Sequence, residues 1–292
     1  MKLSILIPTY NQDCSQLVKD LAAQCKQSGI EYEILVMDDG STDPVTIKAN
    51  QQLMDMPNMQ LFEFPHNQGR SFIRNRLVSY STGDYLLFLD SDAVVTRPDF
   101  IANYLRCLPT EDVICGGILH PDTLPSRRQS LRYMYEKHCE PRFTAENRNR
   151  HPYQSFRTFN VLLPREVAVS HQFDQRIRHY GYEDTLWGKD LEKDGIRIRH
   201  VDNQLMNGDI ERNLTFLRKT EEGLRTLKLL EEKLRGSSTL IDYYDKLKQR
   251  HLTGLMTFAF YLLYVPVKLL LLSPWPSFKV LQFYKLGYYC SL

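Results

Sequence analysis

The chain has 292 residues and a formal net charge of +2, enough for one large α/β domain, or a domain with an appendage, around a core of its own. Six cysteines without a CxxC pair (Cys14, Cys25, Cys107, Cys115, Cys139, Cys290) argue for free thiols in a reducing compartment, against a disulfide framework or a zinc site. The mild charge, with no Lys/Arg run interleaved with aromatic residues, excludes nucleic acid as a partner.

In chain order, KLSILIPTY is an apolar run that stops at Pro8, too short for a signal peptide, and reads as a first strand. A helical pattern from Cys14 to Ser28 ends at Gly29, and a second apolar run, YEILVMDDGSTD, completes a βαβ unit. MQLFEF reads as a third strand, HNQGRSFIRNRLVSY as a helix, and YLLFLDSD as a strand entered at Gly83. This alternation predicts a mostly parallel, doubly wound α/β sheet with right-handed crossovers. Ligands collect at the carboxyl ends of such strands. Pro8-Thr9-Tyr10, Asp38-Asp39-Gly40-Ser41 and Asp90-Ser91-Asp92 should therefore converge on one edge. Asp90 and Asp92 are like charges one residue apart, an unfavourable pair unless a cation or a proton sits between them.

Pro121 to Pro152 is basic, aromatic and turn-rich without a clean period, and reads as a loop on the acceptor side. FRTFNVLLPREV gives a further strand, FDQRIRHYGYEDTLWGKDLEKDG a turn into a helix, and IRIRHV another strand. Leucines at helical spacing from Arg218 to Leu234 mark an amphipathic helix packed on the domain. Asn213-Leu214-Thr215 spells a glycosylation sequon, a chance occurrence without a secretion signal. Residues 1–235 then form one domain and 236–292 a helical, apolar extension. Within that extension Gly254 to Leu272 is apolar apart from Lys268 and broken at Pro266. Its length is borderline for a span, and the neighbouring tyrosines, Trp275 and lysines suit a helix lying in the headgroup region of a membrane. Spanning, or packing on the domain or a second subunit, are the alternatives.

ILIPTYN, VMDDGSTD, NQGRSFIRN, FLDSD and YGYEDTLWG, in that order, together resemble the inverting GT-A glycosyltransferases of family 2, over roughly Lys2 to Asp209. The resemblance implies a GT-A fold and transfer of a sugar from a nucleoside-diphosphate sugar, a UDP-sugar above all, to a hydroxyl of a glycan or lipid-linked glycan at the cytosolic face of a membrane. It implies that Pro8, Thr9 and Tyr10 line the nucleotide pocket and that Asp39 meets the base's imide N–H. Asp90 and Asp92 would be the DxD pair holding Mg²⁺ or Mn²⁺ against the donor diphosphate. Arg74, and with it Arg70, would reach phosphate oxygens. Glu183 and Asp184 match the family's acidic pair facing the acceptor, with Asp184 as general base. One departure concerns the metal. Relatives often carry a ligating histidine where VDNQLMNGD has Asn207, and His200 lies seven residues earlier.

Two other readings compete. DSDAV also fits the nucleophile motif of haloacid-dehalogenase-like phosphotransferases, with Asp90 phosphorylated, although that motif normally opens its domain. A non-catalytic module binding nucleotide-sugars or glycans on the same fold is the second. No GxGxxG follows the first strand and no GxxxxGK[ST] occurs, which removes dinucleotide and P-loop readings.

Overall fold

The structure, a computed structural model, describes residues 1–177 and 180–292. Arg178 and His179, in the turn expected before the acidic pair, lie outside the described residues. The first half is the expected alternation: β1 (Lys2–Thr9), α1 (Ser15–Ser28), β2 (Glu31–Asp38), α2 (Pro44–Gln51), β3 (Met59–Glu63), α3 (Arg70–Tyr80) and β4 (Tyr85–Leu89). There follow β5 (Ala93–Val94), α4 (Phe100–Leu105), β6 (Val113–Cys115), β7 (Ile118–Leu119), α5 (Ser130–Cys139), α6 (Ala145–Arg150), β8 (Asn160–Pro164) and α7 (Arg165–Ser170). The remainder is α8 (Glu183–Lys193), β9 (Ile198–His200), β10 (Leu205–Asn207), α9 (Asn213–Leu229), α10 (Glu231–Leu234), α11 (Thr239–Gln249), α12 (Thr253–Leu272) and α13 (Phe278–Ser291).

Seven strands form one sheet in the order β3-β2-β1-β4-β8-β6-β9, in which β8 alone runs against its neighbours. Strands buried on both faces need apolar residues at successive positions, and both faces are covered here. Leu3, Ile5 and Ile7 pack with Leu17, Val18 and Leu21 of α1 on one face, while Leu6, Leu35 and Met37 pack with Ile73 and Leu77 of α3 and Trp187 of α8 on the other. Register brings the polar ends together: Thr9 lies beside Asp38 and Leu89 beside Asn160. A small second sheet, β5-β10-β7, sets Asn207 opposite Ala93 and so folds the 207–209 turn back against the end of the DSD segment.

Two expectations are corrected. The 121–152 stretch is not a plain loop, since it contains α5 and α6. Their inward positions include Ser130, Glu136 and Arg148, so no apolar period announces the helices. Nor does Pro266 break the apolar segment, for it sits inside α12. A proline removes its own N–H and frees the carbonyl four residues back; Pro266 and Leu262 are both exposed, so that carbonyl lies on the helix's outer side.

The extension shares a core with the domain. Phe216 and Leu217 of α9 and Leu131 of α5 are buried with Phe260 and Leu271 of α12 and Leu281 and Tyr284 of α13.

Candidate active site

The first cluster of the site is built at the ends of β1 and β2. The Asp39 N–H donates to Thr9 O at 2.9 Å, and the buried Asp38 accepts from the Ser41 N–H at 2.7 Å. Asn11 locks the two strand ends together: its N–H donates to Ser41 Oγ at 2.6 Å and its Oδ1 accepts from the N–H groups of Thr42 and Asp43. Gly40, at φ +77°, passes so close to the 66–67 backbone that a Cβ there would lie 2.7 Å from Asn67 N, so only glycine fits. Asp39 is committed as well. Its Oδ1 accepts from the Gln68 N–H at 2.6 Å and its Oδ2 from the Gly69 N–H at 2.9 Å, which ties β2 to the start of α3. Burial raises its pKa above the usual carboxylate value against the pull of those two N–H groups. Any base N–H read by Asp39 must use the remaining lone pairs. Thr9 is buried and donates to Gln12 O, Tyr10 is half exposed, and Pro8 lies within β1 beside Met37.

The second cluster surrounds Asp90. Arg74 is 2% exposed on the inward face of α3, and its guanidinium bridges two acids: Nη2 to Asp90 Oδ1 at 3.1 Å and Nη1 to Glu183 Oε1 at 3.2 Å. Two of its side-chain nitrogens are thus committed to carboxylates. Arg70, one helical turn earlier, is the more open cation. It lies 3.7 Å from Glu183 Oε1 and stacks over the Tyr180 ring at 5.0 Å. Burial opposes its charge, but Asp90, Glu183, Tyr180 and Asp92 together outweigh it and hold the guanidinium protonated. Asp92 is pushed up to about 6 by burial first and by the Asp90 charge second, with Asp209 adding to the effect.

Asp209 is the residue that sequence reasoning passed over. The Gly208 N–H donates to Asp92 O at 2.9 Å, and a Cβ at Gly208 would meet that same oxygen at 2.9 Å, so the turn packs directly on the DSD segment. The charges of Asp90 and Asp209 thus both bear on Asp92. The signal for Asp209 lay in NGD following a short strand, visible only once β10 pairs with β5. Among the described residues no three His, Cys, Asp or Glu side chains stand ready as a closed metal site. An oxygen-only pair with mutual repulsion nevertheless fits a hard divalent ion that takes most of its ligands from phosphate and water. His200 is not available to such an ion. It is buried on β9, with Nε2 against Pro152 O and Nδ1 against Arg148 Nη1, both at 2.9 Å. Burial drives its pKa down to about 4, so the ring is neutral and its two nitrogens serve the fold. Asn207 is buried and accepts from the Asp209 N–H through Oδ1 at 3.1 Å.

The third cluster is the start of α8. Gly181 (φ +99°) and Tyr182 (φ +68°) turn the chain sharply into the helix, and a non-glycine residue in the left-handed region needs outside support. That support comes from α9, whose Thr226 hydroxyl donates to Tyr180 O and whose Glu222 accepts from the Tyr180 N–H, each at 3.1 Å. Glu183 and Asp184 then occupy the helix's first turn, where the macrodipole favours acids. Their environments differ. Glu183 is 6% exposed and pinned between Arg70 and Arg74. Asp184 is half-buried and, among the described residues, has no such ion pair, and its Oδ1 accepts from the Thr185 N–H at 2.8 Å. Burial raises its pKa, Arg157 opposes the rise and Glu183 adds to it. Gly188, one turn further along the same face as Asp184, is packed on Phe156, with its would-be Cβ 3.1 Å from the ring, and the next residue in the chain, Arg157, is the cation whose charge reaches Asp184. Among the described residues the Arg157 guanidinium donates to the backbone carbonyls of Phe156 and Gln154.

The sequence model of the family described as Glycosyl transferase family 2 matches residues 4–168, more than half of the chain. An uncharacterized glycosyltransferase of Haemophilus influenzae is 38% identical over 101 residues, 35% of this chain and 38% of that protein. A poly(ribitol-phosphate) beta-glucosyltransferase of Bacillus spizizenii is 35% identical over 100 residues, 32% of this chain and 15% of that one. The matched stretches span well under half the length of these relatives. Among solved structures, the mannosyltransferase PcManGT of Pyrobaculum calidifontis with GDP-Man and Mn²⁺ superposes with a TM-score of 0.61 at 14% identity, covering 99% of this chain and 84% of that one. Staphylococcus aureus TarS 1-349 with UDP-GlcNAc gives 0.56 at 19% identity, covering 80% and 66%. Likeness at such identity carries the fold, which is GT-A, while the sequence match removes the phosphotransferase reading. The chain belongs to glycosyl transferase family 2.

Proposed function

We propose that the enzyme moves a sugar from a nucleoside-diphosphate sugar, a UDP-sugar above all, to a hydroxyl of a glycan or lipid-linked glycan, with inversion at the anomeric carbon. The supporting observation is that one buried guanidinium, Arg74, ties the DSD strand end to Glu183 beside Asp184 at the carboxyl edge where Thr9 and Asp38-Asp39 also end. That contact between stretches far apart in sequence supports reading them as parts of one site. Thr9, Tyr10 and Asp39 hold the nucleotide, and Arg70, facing Asp90 and Asp92, lies toward the diphosphate. Asp90 and Asp92 would hold Mg²⁺ or Mn²⁺, which when bound offsets the charge building on the departing diphosphate. The Asp184 carboxylate takes the proton of the acceptor hydroxyl as that oxygen bonds to the anomeric carbon and the bond to the diphosphate oxygen breaks. Glu183 fixes the arginines and the entry of α8. A lipid-linked acceptor would be met at the cytosolic face of a membrane.

Thermal-shift titration tests the donor reading, because a ligand that binds only the native state raises its apparent stability. UDP with Mn²⁺ should raise the melting temperature more than dTDP or GDP, and EDTA should remove most of the shift. Asp92→Ala should abolish the metal-dependent part and leave the unliganded protein folded. A shift that is equal with and without metal in the parent protein would remove Asp90 and Asp92 from metal binding.

A further inference from the structure

Helix α12 shows two faces of opposite fate. Phe260, Tyr264, Val267 and Leu271, at spacings of four, three and four residues, turn inward against α9 and α13, and Gly287 of α13 leaves room for the Phe260 ring. Phe258, Tyr261, Leu262, Val265 and Leu269 lie on the opposite side, each between 63% and 68% exposed. A continuous apolar stripe of this kind along a helix surface marks an interaction site. The ends of the stripe are basic. Lys246, Lys248 and Arg250 are exposed just before α12, and Lys279 is exposed just after it, beside Trp275. No Asp or Glu occurs after Asp245, while Lys246, Lys248, Arg250, Lys268, Lys279 and Lys285 do.

We propose that this face of α12, with Trp275 at its end, lies in the interface of an anionic lipid bilayer, its apolar side chains among the acyl chains and its terminal cations at the headgroups. The stated alternative of a span conflicts with the other face, although α12 is long and apolar enough to cross a membrane. The inward face carries polar ties to the domain: Lys268 Nζ donates to the Tyr264 hydroxyl at 2.7 Å and sits 4.0 Å from Glu221 Oε1, which also accepts from the Tyr284 hydroxyl. Crossing the bilayer would pull that side out of the core it shares with Leu217 and Leu281 and strand Glu221. This inference rests on the proposed reading only for its biological sense, in that a lipid-linked acceptor would be presented at the same surface.

The protein carries its own reporter, since of its two tryptophans Trp187 is buried and Trp275 is 75% exposed. Full-length protein mixed with phosphatidylglycerol-rich vesicles should float with them and show a blue-shifted Trp275 emission that disappears in Trp275→Phe. Phosphatidylcholine vesicles or high salt should cut binding by at least about tenfold. Leu262→Glu with Leu269→Glu, both at exposed positions, should abolish flotation without lowering the melting temperature. Flotation that resists alkaline carbonate extraction would overturn the interfacial placement in favour of a span. Loss of vesicle binding together with a concentration-dependent dimer that the double variant dissociates would assign the face to a second copy. The UDP thermal shift, measured on the same samples without vesicles, separates failure of this surface from failure of the donor reading.

Discussion

Asp184→Asn is expected to cut sugar transfer by about 10²–10⁴-fold while leaving UDP binding and the fold intact, because it removes the proton acceptor and keeps the shape. The sign of the stability effect separates this loss from unfolding. Burial holds the folded-state Asp184 pKa above its ordinary value. The folded carboxyl therefore keeps its proton more tightly than the unfolded one, and whatever stability that proton supplies is lost as pH rises through the folded pKa. At neutral pH the carboxylate is a burden on the fold, so the asparagine variant should be as stable as the parent or more so. Activity runs the other way. The acidic limb of kcat/KM should sit above the pH at which an ordinary aspartate titrates, with turnover falling as pH drops through it. Arg157→Gln, which removes the cation opposing that rise, should move the limb to higher pH. An unchanged limb in Arg157→Gln, or normal turnover in Asp184→Asn, would take Asp184 out of the role of base.

Arg74→Met is expected to cost about 3–5 kcal/mol of stability, because it leaves Glu183 and Asp90 facing each other without their shared guanidinium in a buried place. Calorimetry or chemical denaturation should register this as a fall in melting temperature on the order of 10 °C. The physical signature is non-additivity. Adding Glu183→Gln to Arg74→Met should recover part of the loss, since the second change removes the stranded charge, and the coupling between contacting residues should exceed about 0.5 kcal/mol. Arg70→Met provides the contrast. Its guanidinium is half exposed and 3.7 Å from Glu183, so its loss should cost little stability and show instead in donor binding.

The elements that sequence made legible were those whose physics is local. The strand runs at Ile34–Met37 and Leu86–Leu89 are apolar at every position, and Leu3–Ile7 at all but the buried Ser4, because both faces of the sheet are covered, and the polar residues that end them could be assigned to one edge from topology alone. What stayed hidden depends on tertiary pairing. Helix α5 turns Ser130 and Glu136 inward, the latter against Arg132 and His120, so its amphipathic period is spoiled by residues that are buried because they are paired. The ion pairs of Arg74 were hidden for the same reason: an arginine on a helix beside a phosphate-type site suggests a ligand contact, and only the meeting of α3 with α8 reveals the two carboxylates on it. Asp209 became a neighbour of Asp92 through a two-residue ladder between β5 and β10, too short to leave a pattern. His200 marks the opposite case, a residue whose chemistry suits a metal but whose ring on β9 meets Arg148 and Pro152.

The most direct test of the account is nucleoside-diphosphate release from a panel of UDP-sugars, incubated with Mn²⁺, the parent enzyme and glycan acceptors, and run in parallel on Asp184→Asn. UDP release is expected from at least one donor with the parent, with its loss on chelation of the metal and a fall by about 10²–10⁴-fold in the variant although UDP still stabilises it. UDP release at equal rates from parent and variant, or a parent that neither binds UDP nor releases it from any donor while binding another nucleotide, would contradict it.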